Sequence, residues 1–145
     1  MELYRKIKDI KQKGKIIMEN NKILVVDDDP TIIKLYEMTF LRAGFEVISA
    51  QSAEEALELL QDEKIHVMFL DLKLPGMDGI ELCARIKKDM PMTITHAVTG
   101  YASIFELTDC KEAGFDDYFK KPVKIKTLVK AAQDAFEKIN RWKAG

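Results

Sequence analysis

The chain has 145 residues, enough for one ordinary domain, and its 47% hydrophobic content supplies a core and excludes wholesale disorder. A formal net charge of −1 leaves no global field to draw nucleic acid or an anionic membrane. With two well-separated cysteines (Cys83, Cys110) and two histidines (His66, His96), a disulfide framework, a thiolate zinc site and a multi-histidine metal site are excluded. No apolar run nears the ~20 residues of a membrane span and no signal-peptide core opens the chain, so a cytoplasmic protein is expected.

Residues 1–20 read as a separate basic arm. Six cations (Arg5, Lys6, Lys8, Lys11, Lys13, Lys15) face three acids (Glu2, Asp9, Glu19), giving +3 and leaving −4 on the rest. Leu3, Ile7 and Ile10 form a short amphipathic stripe interrupted by Gly14, too short for a stable isolated helix. The arm is expected either to dock, on this domain or across a dimer, or to fray.

From Lys22 onward, strand-like and helix-like segments alternate. Ile23–Val26 is a continuous apolar run, as in a strand buried on both faces. Asp29 followed by Pro30 reads as an N-cap with proline at the first helical position, where its missing N–H costs nothing. Gly44 stops that helix ahead of a strand over 45–48. Ser52 with Glu55 forms a capping box, and a strong strand follows at 65–70. Asp78 with Glu81 caps the next helix, where Cys83 joins Leu82 and Ile86 on a core stripe.

A strand over 93–98 includes His96, read as a packing residue, and a third capping box pairs Ser103 with Glu106. Gly114 ends that helix before a short strand at 117–119. The last helix carries Ile125, Leu128, Val129, Ala132, Phe136 and Ile139 on one stripe. Five βα units predict an α/β fold: a doubly wound, flavodoxin-like parallel sheet of order 2-1-3-4-5 over residues 21–142. No output domain is expected within this chain.

In such sheets, ligands bind beyond the carboxyl ends of the strands. There the sequence places Asp27, Asp28 and Asp29 after the first strand, Asp71 after the third, Thr99 after the fourth and Lys121 after the fifth. Three converging carboxylates repel unless a cation joins them. A set of oxygen ligands without histidine or cysteine suits Mg²⁺ (or Mn²⁺). Asp71 is then either a metal ligand alone or a nucleophile forming an aspartyl phosphate. For that chemistry Lys121 supplies a point charge and the Thr99 hydroxyl a donor. Asp29 and Asp78 read as caps, and Lys120 as a solvated neighbour of Lys121.

Four segments carry a resemblance: Ile23–Pro30, Leu70–Gly79, Val98–Ser103 and Asp116–Pro122. In this order, each at a strand end, they resemble the receiver domain of two-component response regulators, of the stand-alone, chemotaxis-regulator-like kind. The resemblance implies that Asp71 is the phosphoacceptor and a metal ligand beside Asp27, Asp28 and the Lys73 backbone carbonyl. It implies that Thr99 and Lys121 contact the phosphoryl oxygens, that Thr99 and Tyr118 form the switch, and that the Lys121–Pro122 peptide is cis.

The implied function is a signalling switch in a two-component system or phosphorelay, which catalyses its own phosphorylation and slow dephosphorylation. Its donor would be a sensor histidine kinase or a histidine phosphotransfer protein. The face made by the fourth helix, fifth strand and fifth helix would then change. Its charges are mixed: Lys124, Lys126 and Lys130 against Glu106 and Asp109. That suits a downstream protein target or a homodimer better than DNA. Tyr101, two residues past Thr99, is expected to overhang and shield the phosphoryl group.

Two rival readings stand beside this one. Asp27-Asp28-Asp29-Pro30-Thr31 also resembles the DxDxT motif of haloacid-dehalogenase-type phosphatases, with Asp27 as nucleophile and Asp29 as acid/base. That reading leaves no room for a cap insertion and no role for Asp71. The other rival, a degenerate receiver acting as an interaction module, is opposed by the intact acceptor, acid pair, threonine and lysine.

Overall fold

The computed structural model describes residues 20–100 and 103–144. The expectations for the basic arm and for Tyr101 lie outside the described residues. Ten elements alternate in order: β1 (Lys22–Val26), α1 (Pro30–Arg42), β2 (Glu46–Ala50), α2 (Ala53–Asp62), β3 (Val67–Asp71), α3 (Gly79–Asp89), β4 (Ile94–Thr99), α4 (Ile104–Ala113), β5 (Asp117–Lys120) and α5 (Ile125–Ala144). The strands form one parallel sheet, β2-β1-β3-β4-β5. The order 2-1-3-4-5 matches the sequence expectation.

Side-chain alternation along the strands divides the core into two layers. Ile23, Val25, Phe69 and Val98 face α1 and α5 and pack with Phe40, Leu128 and Phe136. Leu24, Val26, Met68 and Leu70 face α2 and α3 and pack with Ala53, Ala56, Leu82, Cys83 and Ile86. His96 belongs to the first layer as a packing residue. Its ring stacks on Phe69 at 4.2 Å, its Nδ1 lies 2.9 Å from the Met68 carbonyl, and burial holds its pKa down. Among the described residues no helix is long and apolar enough to cross a membrane.

Four strands reach further toward the functional end of the sheet than expected: β2, β3, β4 and β5 end at Ala50, Asp71, Thr99 and Lys120. β2 begins at Glu46 because the Phe45 N–H still closes the end of α1, donating to the Phe40 carbonyl at 3.0 Å. The Phe45 ring then stacks on Phe136 at 5.2 Å. β3 and β4 each extend one residue further than expected, because Asp71 pairs with Val98 and Thr99 with Lys120. On α5, Leu128, Ala132, Phe136 and Ile139 are buried as expected, together with Ala135. Ile125 is instead 56% exposed, since α5 enters the core only from Leu128.

All three capping boxes are half formed. Ser52, Asp78 and Ser103 each accept the backbone N–H three residues on, at 3.1, 2.9 and 3.1 Å. Among the bonds of the described residues, none of the three glutamates bonds back to its cap residue. Glu55 reaches the Gln51 N–H, Glu81 pairs with Arg85, and Glu106 accepts the Thr99 hydroxyl.

Candidate functional site

Parallel register brings the carboxyl ends of the strands to one edge, and the predicted site residues come with them. Asp27 follows β1, Asp71 ends β3, Thr99 ends β4 and Lys121 follows β5. Carboxylate oxygens of Asp27, Asp28 and Asp71 all lie within 4.8 Å of one another. Asp27 and Asp71 are only 2% and 5% exposed, whereas Asp28 stands open to solvent. Lys121 Nζ reaches between the buried pair, 2.8 Å from Asp27 Oδ2 and 3.3 Å from Asp71 Oδ2. The second oxygens accept backbone N–H groups: Asp29 to Asp27 at 2.9 Å and Lys73 to Asp71 at 3.2 Å. The remaining predicted cap, Asp29, accepts the Thr31 N–H at 2.9 Å at the start of α1.

The electrostatics are those of a site short of positive charge. Burial and then the Asp27 charge push the Asp71 carboxyl above its ordinary value, against the opposing pull of Lys121 and the Lys73 N–H. Burial alone would lower the Lys121 ammonium; its bond to Asp27 and the charges of Asp71 and Asp27 together outweigh that and raise it. The Tyr36 phenol, buried on α1 within the field of the same groups, is pushed up to about 12, chiefly by burial. Three carboxylates against one ammonium leave two negative charges. A hard divalent cation with oxygen ligands fits that deficit, and exposed Asp28 leaves room for the waters that such ions retain.

Three residues that the sequence reading did not assign to the site hold it in shape. Gly79, the first residue of α3, presses against the strand end that carries Asp71. A Cβ there would lie 2.1 Å from the Asp71 backbone oxygen and 2.9 Å from Leu72 Cα. Glu54 on α2 accepts the Met77 N–H at 3.0 Å, and that bond lowers its carboxyl pKa. It thereby pins the Pro75-Gly76-Met77 turn, where Gly76 takes a φ of +74°. Glu106 accepts the hydroxyl of fully buried Thr99 at 3.3 Å. Gly79 alone had a sequence signal, its place in the Leu70–Gly79 segment. The other two partnerships join positions too far apart for local pattern to reveal.

The remaining predicted residues fall around this centre. The Lys121–Pro122 peptide is cis, and the Lys121 N–H donates to the Thr99 carbonyl at 2.7 Å, tying the two loops together. Tyr118 is half-buried against the small cluster of Leu72, Ala97 and Cys110. Lys73 is linked to the centre through its N–H bond to Asp71, while its side chain is exposed. Cys83 is a core thiol 3.4 Å from Thr95 Oγ1, and Lys120 is solvated.

Known proteins share this arrangement. A family model described as the response regulator receiver domain matches residues 23–133. The chain is 39% identical over 103 residues to the alkaline phosphatase synthesis transcriptional regulatory protein PhoP of Bacillus subtilis, covering 71% of this chain and 43% of that protein. It is 38% identical over 106 residues to a cyclic di-GMP phosphodiesterase of Thermotoga maritima, covering 73% of this chain and 28% of that protein. It thus spans less than half the length of these curated relatives. The solved structure of a CheY-like response regulator receiver domain protein from Methanospirillum hungatei aligns with a TM-score of 0.81 at 32% identity, over 88% of this chain and 100% of that one.

Proposed function

We propose that this chain, which belongs to the response regulator receiver family and is a phosphoryl-accepting signalling switch, takes its phosphoryl group on Asp71. The observation that carries this assignment is the convergence of Asp27, Asp28, Asp71 and Lys121 at the ends of adjacent strands. Receiver domains are served by histidine kinases or phosphotransfer proteins. An Asp71 oxygen attacks phosphorus, the P–N bond of the donor phosphohistidine breaks, and the electron pair leaves with the imidazole. Lys121 and the Thr99 hydroxyl bind the transferred oxygens. Asp27, Asp28, Asp71 and the Lys73 carbonyl would hold Mg²⁺ (or Mn²⁺), which when bound supplies positive charge against those oxygens.

The same site removes the group slowly by hydrolysis. Two buried free thiols, Cys83 and Cys110, suit a reducing cytoplasm. The phosphatase alternative is not favoured: Asp27 is paired to Lys121, and Asp29 is committed to capping α1. The α4–β5–α5 face is the proposed output surface. On it a groove lined by Phe119, Thr127 and the Lys130–Asp134 ion pair offers mixed charge to a protein target or a second copy rather than to DNA.

Incubating the protein with a small phosphodonor and Mg²⁺ should add one acid-stable, base-labile phosphoryl group. Borohydride trapping and peptide mapping should place it on residue 71; an adduct mapping elsewhere would overturn the assignment. Asp28→Asn should weaken Mg²⁺ binding by at least about tenfold and slow phosphorylation in parallel. Unchanged Mg²⁺ affinity would remove Asp28 from the site.

A further inference from the structure

Residues 1–19 enter the fold at Asn20, and two side chains fix the place. Asn20 Nδ2 donates to the Lys64 carbonyl at 2.6 Å, and Asn21 Nδ2 donates to the Gly44 carbonyl at 2.9 Å. The entry point is the end of the sheet where the strands begin, opposite Asp71. Two features flank it.

The first is apolar. Trp142 continues the buried stripe of α5, three residues past Ile139 and seven past Ala135, yet it is 45% exposed. The last turn of α5 reaches the start of β3. Burial first, and then the Lys143 and Lys64 charges, hold the imidazole of His66, the residue before β3, below its ordinary pKa. Parallel register pairs Ile23 with Val67, so His66 and the entry of the chain share this end. An indole on the inward stripe of a helix, left half in water, marks a face without a cover.

The second is acidic. α2 carries Glu54, Glu55, Glu58 and Asp62 and no cation, so the negative end of its dipole has no positive charge in the last turn. Glu63 is held by Lys22 at 2.8 Å, but Asp62 has no ion-pair partner among the described residues. The Lys64 carbonyl that anchors Asn20 lies just past Asp62.

We propose that residues 1–19 fold back on their own domain at this end of the sheet. Leu3, Ile7 and Ile10 cover Trp142, while Lys11, Lys13 and Lys15 meet Asp62 and the C-terminus of α2. The reach suffices: Lys15 can stand up to roughly 17 Å from Asn20, and α2 is only about 15 Å long. A stripe as short as Leu3 to Ile10 is unstable as an isolated helix, and these two surfaces supply the packing and charge it lacks. The occupant is the chain's own segment rather than a second copy's, because so short a tether holds it at an effective concentration of about millimolar.

Trp142 is the sole tryptophan of the chain, so its fluorescence reads the docking in the full-length protein. Its emission should be blue-shifted and poorly quenched by acrylamide. The double substitution Ile7→Asp and Ile10→Asp should lower the docked-to-free ratio by at least about tenfold, the loss expected from a single buried isoleucine. Emission should then move to the red and quenching should rise. The triple substitution Lys11→Glu, Lys13→Glu and Lys15→Glu should act in the same direction, with circular dichroism confirming an intact fold. In the wild type, carbodiimide coupling and peptide mapping should join Lys11, Lys13 or Lys15 to Glu58 or Asp62 within one chain. Equal Trp142 quenching in the wild type and both variants would overturn the proposal. So would cross-links found only between differently isotope-labelled chains, which would make the occupant a second copy.

Discussion

Asp71→Asn is expected to abolish phosphoryl uptake and, in the absence of divalent metal, to make the protein more stable at pH 7 by about 1–2 kcal/mol. The loss of uptake follows from the role proposed for Asp71, whose attacking oxygen the substitution removes. The gain follows from what Asp71 endures in the native state: it is almost fully buried, and the Asp27 carboxylate stands beside it with only Lys121 to offset the pair.

These causes raise its pKa in the folded chain above the ordinary carboxylate value. The native state therefore binds a proton more readily than the unfolded state. Stability falls as pH rises from the ordinary carboxylate range through the raised native value, and the penalty is fully present above it. The amide of the Asp71→Asn variant carries no charge and escapes that penalty. Added Mg²⁺ should stabilise the wild type by binding its native state, and should narrow the gap between the two proteins. Denaturant unfolding at pH 5 and pH 7, with and without Mg²⁺, reads all of this. A metal-free Asp71→Asn protein less stable than wild type at pH 7 would contradict the account.

How far the sequence led depended on the range of the forces involved. The strands were legible because Ile23–Val26 and the run ending at Leu70 are buried on both faces and must be apolar throughout. The site was legible because parallel topology makes strand ends converge, so Asp27, Asp71, Thr99 and Lys121 could be placed together without knowing any distance. What stayed hidden were partnerships set by tertiary approach. Glu55 and Glu106 both sit at the third position of a capping box, and local pattern assigns each to its own cap residue. In the folded chain Glu55 bonds Gln51 and Glu106 bonds Thr99, partners that the capping-box pattern does not name. Glu54 reads as one of several acids on a solvated helix, yet it accepts a backbone N–H 23 residues away, in the loop that follows Asp71.

Gly79→Ala is expected to cost about 2–3 kcal/mol of stability and to slow phosphorylation by roughly a hundredfold, though residue 79 makes no contact with the transferred group. In isolation the substitution should favour α3, since alanine is the better helix former by about 1 kcal/mol. The local gain is overridden by backbone contact. The added methyl would meet the Asp71 carbonyl oxygen at 2.1 Å and the Asp71 carbonyl carbon at 2.9 Å, neither of which can swing aside as a flexible side chain would. Relief requires α3 to retreat from the end of β3, or the Asp71 peptide to tilt. Either movement strains the bond from the Gly79 N–H to the Leu72 carbonyl, now 3.1 Å, and displaces Asp71, the proposed nucleophile, relative to Lys121. Gly100→Ala is the matched control. Among the described residues a Cβ at Gly100 meets nothing within 4 Å, so its stability should change by no more than about 0.5 kcal/mol. Equal stability and equal phosphorylation rates for Gly79→Ala and wild type would show that α3 can withdraw without moving Asp71, and the role given to Gly79 would fail.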